Sequence, residues 1–101
     1  MKIIKRSGTE VGFNIEKIIA AVRKANKEVA ESERLTEQKI DEISRNVEQI
    51  CLNMNRTLNV EEIQDLVENQ IMNCKSFEVA RKYITYRYKR YLVRKSNSTD
   101  K

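Results

Sequence analysis

The sequence predicts an α+β domain, mainly helical: a four-helix bundle capped by a small two- to three-stranded sheet formed by an N-terminal hairpin. Three observations predict it. Apolar residues recur at three- and four-residue steps in four separate stretches. Two short β-compatible runs near the start flank a Ser-Gly turn dipeptide. A two-stranded hairpin does not stand alone in water, so it must pack on the helices.

The hairpin comes first, with Lys2-Ile3-Ile4-Lys5 and Glu10-Val11-Gly12-Phe13 on either side of Arg6-Ser7-Gly8-Thr9. Asn14 is placed to cap a first helix over about residues 15–30, whose apolar stripe is Ile15, Ile18, Ile19, Val22, Ala25 and Val29. The polar segment Glu31-Ser32-Glu33-Arg34 interrupts that stripe. Thr36 is the next cap, and Ile40, Ile43, Val47, Ile50 and Met54 mark a second helix over about 37–54. Arg56-Thr57-Leu58 is extended in character and suited to a brief third strand. Asn59 with Glu62 three residues on forms a capping box for a third helix, whose inner face carries Ile63, Leu66, Val67 and Ile71. Ser76 caps a fourth, which carries Val79, Ala80, Tyr83, Ile84, Tyr88, Tyr91 and Leu92. Residues 1–94 are read as one domain and 95–101 as a mobile tail or linker with nothing to bury.

Composition narrows the chemistry. The 101 residues suit a single domain, and no apolar run approaches the ~18 residues that cross a bilayer. Histidine is absent, which removes the usual base of a catalytic triad and the commonest metal ligand. Cys51 and Cys74 lack the partners of a zinc site or a Cys-x-x-Cys motif. They read as small buried or half-buried thiols in a reducing compartment. A disulfide between them is the alternative, and nothing in the pattern requires it.

The net charge of +5 hides a segregation. Residues 1–27 hold seven basic and two acidic side chains, 28–74 hold four and eleven, and 75–101 hold nine and two. Two basic ends flank an acidic middle. If the ends meet, they form one positive surface suited to a polyanion; otherwise the blocks merely solvate helix faces.

The residues then carry a resemblance. Lys5-Arg6-Ser7-Gly8, with Val11, Phe13, Asn14 and Lys17-Ile18, resembles the opening signature of the ATP-cone family, the nucleotide-binding regulatory domain of many ribonucleotide reductases. Val79-Ala80-Arg81-Lys82-Tyr83-Ile84-x-Tyr86-Arg87 is similar to the family's closing helix, especially in the anaerobic (class III) enzymes. Together the two signatures span residues 2–93. Ser7 stands where the family usually has aspartate, and serine also favours turns.

The resemblance implies an allosteric domain that binds ATP or dATP, with or without Mg²⁺, and controls the overall activity of a ribonucleotide reductase without catalysis of its own. ATP would permit activity and dATP would shut it down. It further implies a cytoplasmic protein, either a fragment of a ribonucleoside-triphosphate reductase or a free-standing cone, whose partners are the parent catalytic domain and a second cone, with no membrane and no nucleic acid. The implied phosphate contacts are Lys5, Arg6, Lys17 and Lys89, with Arg81 as either a ligand contact or a structural ion pair. Ile3, Ile4 and Ile18 would give the adenine slot, and Asn14 and Gln64 its polar contacts. By periodicity alone the three isoleucines are core residues and Asn14 is a helix cap. No Gly-x4-Gly-Lys loop is present, so a P-loop phosphate site is not expected.

Two other readings remain from the residues. The basic run Arg81-Lys82 to Arg94-Lys95, with interleaved tyrosines, fits a nucleic-acid-binding helix, although the acidic middle opposes it. A helical protein-interaction module without a small ligand is the second.

Overall fold

The computed structural model describes residues 2–5 and 7–98, except the side chains of Arg94, Asn97 and Ser98. Strands β1 (Lys2–Ile4) and β2 (Glu10–Gly12) pair antiparallel, with Ile3 opposite Val11. The hairpin closes through the Gly8 N–H donating to the Lys5 carbonyl and the Lys5 N–H donating to the Thr9 carbonyl, each at 2.8 Å. Gly8 sits at φ +90°, a conformation that side chains resist, which explains the glycine. The third strand expected at residues 56–58 is β3 (Leu58–Asn59), which lies parallel to β1 and gives the order β2-β1-β3.

Four helices complete the fold: α1 (Ile15–Lys27), α2 (Glu37–Met54), α3 (Val60–Asn73) and α4 (Phe77–Ser98). Each expected cap of the first three is present. The Asn14, Thr36 and Asn59 side chains accept from the N–H groups of Glu16, Lys39 and Glu62. The Glu62 carboxylate returns to the Asn59 N–H and completes the capping box. α2 ends on Asn55 in the left-handed conformation (φ 53°), a geometry asparagine tolerates when glycine is absent.

The core forms where the stripes meet. Val22, Ile40, Val47, Leu58, Ile71 and Val79 are fully enclosed, and Ile3 brings the sheet onto them. Strand alternation turns Ile3 inward and leaves Ile4 half-buried on the other face. In α2 the buried stripe passes through Cys51, whereas Ile50 is half-buried and Met54 exposed, so the inner face follows steps of 3, 4 and 4. Both cysteines are free thiols; Cys51 is buried and burial raises its pKa, and Cys74 is half-buried.

Two segments depart from the sequence reading. α1 stops at Lys27, because Asn26 turns inward and binds Leu35 at both ends. Its amide donates to the Leu35 carbonyl at 3.0 Å and its oxygen accepts from the Leu35 N–H at 2.8 Å. Val29 is therefore buried from a loop and a short 3-10 turn (Glu31–Glu33), not from a helix. The C-terminal half of α4 also buries less than its apolar spacing suggests, since Ile84, Tyr88 and Leu92 are exposed. α4 has 22 residues against 14 in α3. At ~1.5 Å per residue it outruns its neighbour by roughly 12 Å. Helix continues through Ser98, into the stretch read as a tail. No helix among the described residues is long and apolar enough to cross a membrane.

Candidate functional site

A cleft of about 490 Å³ opens where the sheet meets α1, α3 and α4. That size lies within the ~300–1,000 Å³ usual for small-molecule sites. Three helix faces build its walls by simple periodicity. Lys17, Ala20, Ala21 and Lys24 come from α1; Val60, Ile63, Gln64 and Val67 from α3; Tyr83, Tyr86 and Arg90 from α4. The sheet contributes Ile3, Lys5 and Val11, and Phe13 and Asn14 follow from the strand-to-helix connection.

The floor is apolar. Ile3, Ile18, Ile63, Val67 and Tyr83 are all buried, and Phe13, Val60 and Tyr86 are half-buried around them. Burial holds the Tyr83 hydroxyl well above its ordinary pKa, so it stays neutral. The Tyr83 and Tyr86 ring centroids are 6.5 Å apart. Lys24 Nζ lies 5.8 Å from the Tyr86 centroid, within reach of a cation–π contact.

The polar groups sit at the rim. Asn14 caps α1 through Oδ1, which accepts from the Glu16 N–H at 3.0 Å, and its Nδ2 donors make no hydrogen bond among the described residues. The half-buried Gln64 amide makes no hydrogen bond among the described residues. Lys5, Lys17, Lys24 and Arg90 bring four positive charges to one cleft, and no carboxylate lines it among the described residues.

The distribution of ion pairs sharpens this. Arg23, Arg45, Arg56, Arg81 and Arg87 each bind a carboxylate, as do Lys2 and Lys39. Arg34 donates to the backbone carbonyls of Val29 and Lys27. Among the described side chains, the cations left with neither an ion pair nor a side-chain hydrogen bond are Lys5, Lys17, Lys24, Lys27, Lys75, Lys82, Lys89 and Arg90. All except Lys75 line this cleft or a shallower groove beside it. The two basic ends of the chain do meet, since α1 packs on α4, and their unpaired charges gather there.

The structure brings together six of the ten residues expected at the site: Ile3, Lys5, Asn14, Lys17, Ile18 and Gln64. Ile4 does not line the cleft, because strand alternation turns it away. Arg81 is engaged with Glu78 one turn earlier on α4. Lys89 lines the adjacent groove, one residue from the Arg90 that reaches the cleft. Arg6 lies outside the described residues. Sequence reasoning missed Lys24, Tyr86 and Arg90. The signal was available: Lys17 and Lys24 are seven residues apart on α1, and Tyr83 and Arg90 are seven apart on α4, so each pair shares a face.

Comparison with known proteins matches residues 1–92 to the ATP cone domain. The chain belongs to the ATP-cone family. ATP-cones are regulatory rather than catalytic domains and take ATP or dATP as effectors. The ribonucleoside-diphosphate reductase subunit alpha of Chlamydia trachomatis is 34% identical over 99% of this chain, which spans 10% of that protein. The anaerobic ribonucleoside-triphosphate reductase of Haemophilus influenzae is 34% identical over 95% of the chain and 13% of its own length. The chain thus spans about a tenth of the curated relatives it matches, and this ATP-cone resembles those of both reductase types.

Proposed function

We propose that this ATP-cone binds ATP and dATP in the cleft between its sheet, α1, α3 and α4, and that occupancy controls a ribonucleotide reductase to which it is attached. The observation that carries the reading is the gathering of Lys5, Lys17, Lys24 and Arg90, all without carboxylate partners, around an apolar floor. A triphosphate carries roughly four negative charges, so these four cations match it, Arg90 by a two-pronged contact and the lysines as point charges. Arg6 stands next to Lys5 in the chain and adds to the phosphate contacts. The start of α1 adds its positive dipole end beside Lys17. Adenine takes the apolar slot of Ile3, Ile18, Phe13 and Ile63, with Gln64 and the Asn14 amide at its polar edges.

The site binds and does not turn over its ligand. Phosphoryl transfer needs a positioned base and usually carboxylates for Mg²⁺, and the cleft lining offers neither. Among the described residues no cluster of three metal-binding side chains exists. ATP and dATP differ by one ribose hydroxyl, so opposite outputs require different affinities for two states of the attached enzyme. The nucleic-acid reading loses support because Arg81 and Arg87, at the start and in the middle of the basic run, are neutralised by Glu78 and by Asp65 with Glu68.

Calorimetry on the full chain tests this. ATP and dATP are expected to bind in the micromolar range, ~−8 kcal/mol, and GTP at least ten times more weakly. The double substitution Lys17→Ala with Arg90→Ala removes two charge-assisted contacts at ~1.5–3 kcal/mol each and should weaken ATP ~100-fold or more. Both side chains are exposed, so the helical circular dichroism should persist. Unchanged ATP affinity in a folded double variant would refute the site.

A further inference from the structure

Arg87 does not line the cleft, yet its side chain reaches from α4 to two carboxylates on α3. We propose that Arg87 is a positioning residue that sets the width of the base slot by clamping α3 to α4. The proposal rests on the adenine-nucleotide reading of the cleft. Nη1 of Arg87 donates to Asp65 Oδ1 and to Glu68 Oε1, each at 2.9 Å. The contact is withdrawn from solvent, since the Arg87 side chain is 19% exposed and that of Glu68 25%.

The clamp stands where the core gives out. The buried side chains of α4 are Val79, Ala80 and Tyr83, and among the described residues none is buried beyond Tyr83. Arg87 follows Tyr83 by four residues, one turn further along the same face. Each member of the clamp neighbours a cleft residue in the chain: Asp65 follows Gln64, Glu68 follows Val67, and Arg87 follows Tyr86. The spacing of the two walls therefore passes through these bonds. Apolar residues would tie two helices at least as firmly, so stability alone does not call for a half-buried guanidinium here. What the charge-assisted bonds add is a fixed distance and direction.

The walls of the cleft divide by chemistry. All four of its cations lie off α3: Lys5 follows β1, Lys17 and Lys24 stand on α1, and Arg90 on α4. α1 packs directly on α4, and the Lys24 ammonium lies 5.8 Å from the Tyr86 ring centroid across that junction. The phosphate half is thus assembled without α3. The contribution of α3 is Val60, Ile63, Gln64 and Val67, side chains that suit a base and not a phosphate. A gap of roughly 0.5–1 Å already forfeits a quarter to a half of a dispersion contact. Loosening the clamp therefore costs recognition of the base and spares that of the phosphates.

The full chain is titrated calorimetrically with ATP and with inorganic tripolyphosphate, before and after Arg87→Met, which keeps an unbranched stem and removes the fork. ATP should bind the variant at least tenfold more weakly, while tripolyphosphate stays within twofold of the native chain. Glu68→Gln leaves the guanidinium and Asp65 in place. It should move ATP in the same direction by a smaller factor, again without moving tripolyphosphate, and it carries the test if circular dichroism shows Arg87→Met unfolded. ATP affinity unchanged in a folded variant would overturn the proposal. So would ATP and tripolyphosphate weakened by the same factor, the result of a merely structural tie. Tripolyphosphate that fails to bind the native chain would overturn it too, because the phosphate half would then not stand without the base wall. A native chain that does not bind ATP refutes the cleft itself, whereas native ATP binding that is indifferent to both substitutions removes only the clamp.

Discussion

At the scale of single residues, what matters most is which charges are satisfied and which are left over. Glu62 is satisfied three times. The Arg56 guanidinium donates to both of its oxygens, at 2.6 and 3.2 Å, and the Asn59 N–H donates to Oε1 at 3.1 Å. Arg56 first, and then the Asn59 N–H, hold its carboxyl below the ordinary glutamate value of 4.5. A carboxylate with a depressed folded pKa contributes stability that is fully present above its unfolded value and lost as pH falls through the folded one. The capping box of α3 should therefore survive mild acid and weaken only below pH ~4.5. Carboxyl-detected NMR should find Glu62 titrating below the ordinary glutamate value, and Arg56→Ala should move it back up. A Glu62 titration unchanged by that substitution would show that the pair does not persist in solution. Arg87 is satisfied differently. Burial opposes its charge, and Asp65 and Glu68, each at 2.9 Å, outweigh that and tie α3 to α4 behind the cleft.

At the scale of elements, the caps and stripes were legible because each is a local rule. Asn14, Thr36 and Asn59 announce helix starts, and short apolar steps announce inner faces. The Asn26 clamp was not legible. An asparagine near a helix end reads as solvent-facing, and its partner Leu35 lies nine residues away in a segment with no periodicity. Asn26→Ala would leave the buried N–H and C=O of Leu35 without partners. Two such groups at ~1–3 kcal/mol each predict a loss on the order of 3 kcal/mol, readable as a lower urea midpoint at unchanged m-value. The second misreading has the same root. Periodicity tells which face of α4 is apolar, but only the length of α3 beside it decides how far that face is covered, and Ile84, Tyr88 and Leu92 fall past or beside that cover. Likewise the cleft-lining positions Lys5 and Lys17 were readable from a local signature. That Arg90 lines the cleft and Lys89 the adjacent groove was not, since a one-residue step on a helix rotates the side chain by about 100° and only packing fixes the phase.

At the scale of the whole molecule, the cleft joins elements that are otherwise held by the core and, between α3 and α4, by the ion pairs of Arg87. Its walls come from the sheet, α1, α3 and α4, so a ligand in it bridges both basic ends of the chain. In the empty protein the charges at Lys5, Lys17, Lys24 and Arg90 repel one another across that junction. A bound triphosphate replaces the repulsion with contacts that the unfolded chain does not make, and linkage then requires a stability gain. At a hundredfold excess over its dissociation constant, ATP should add ~2.7 kcal/mol. For a domain of this size that is a rise in Tm of roughly 10–20 °C, measurable by calorimetric or fluorescence melting with and without nucleotide. Lys17→Ala/Arg90→Ala should melt within a few degrees of the native chain when both are empty, because it relieves repulsion and removes no ion pair. The same variant should show almost none of the ATP-dependent rise. An equal rise in both proteins would place the nucleotide elsewhere on the molecule, and no rise in either would remove the cleft as an ATP site.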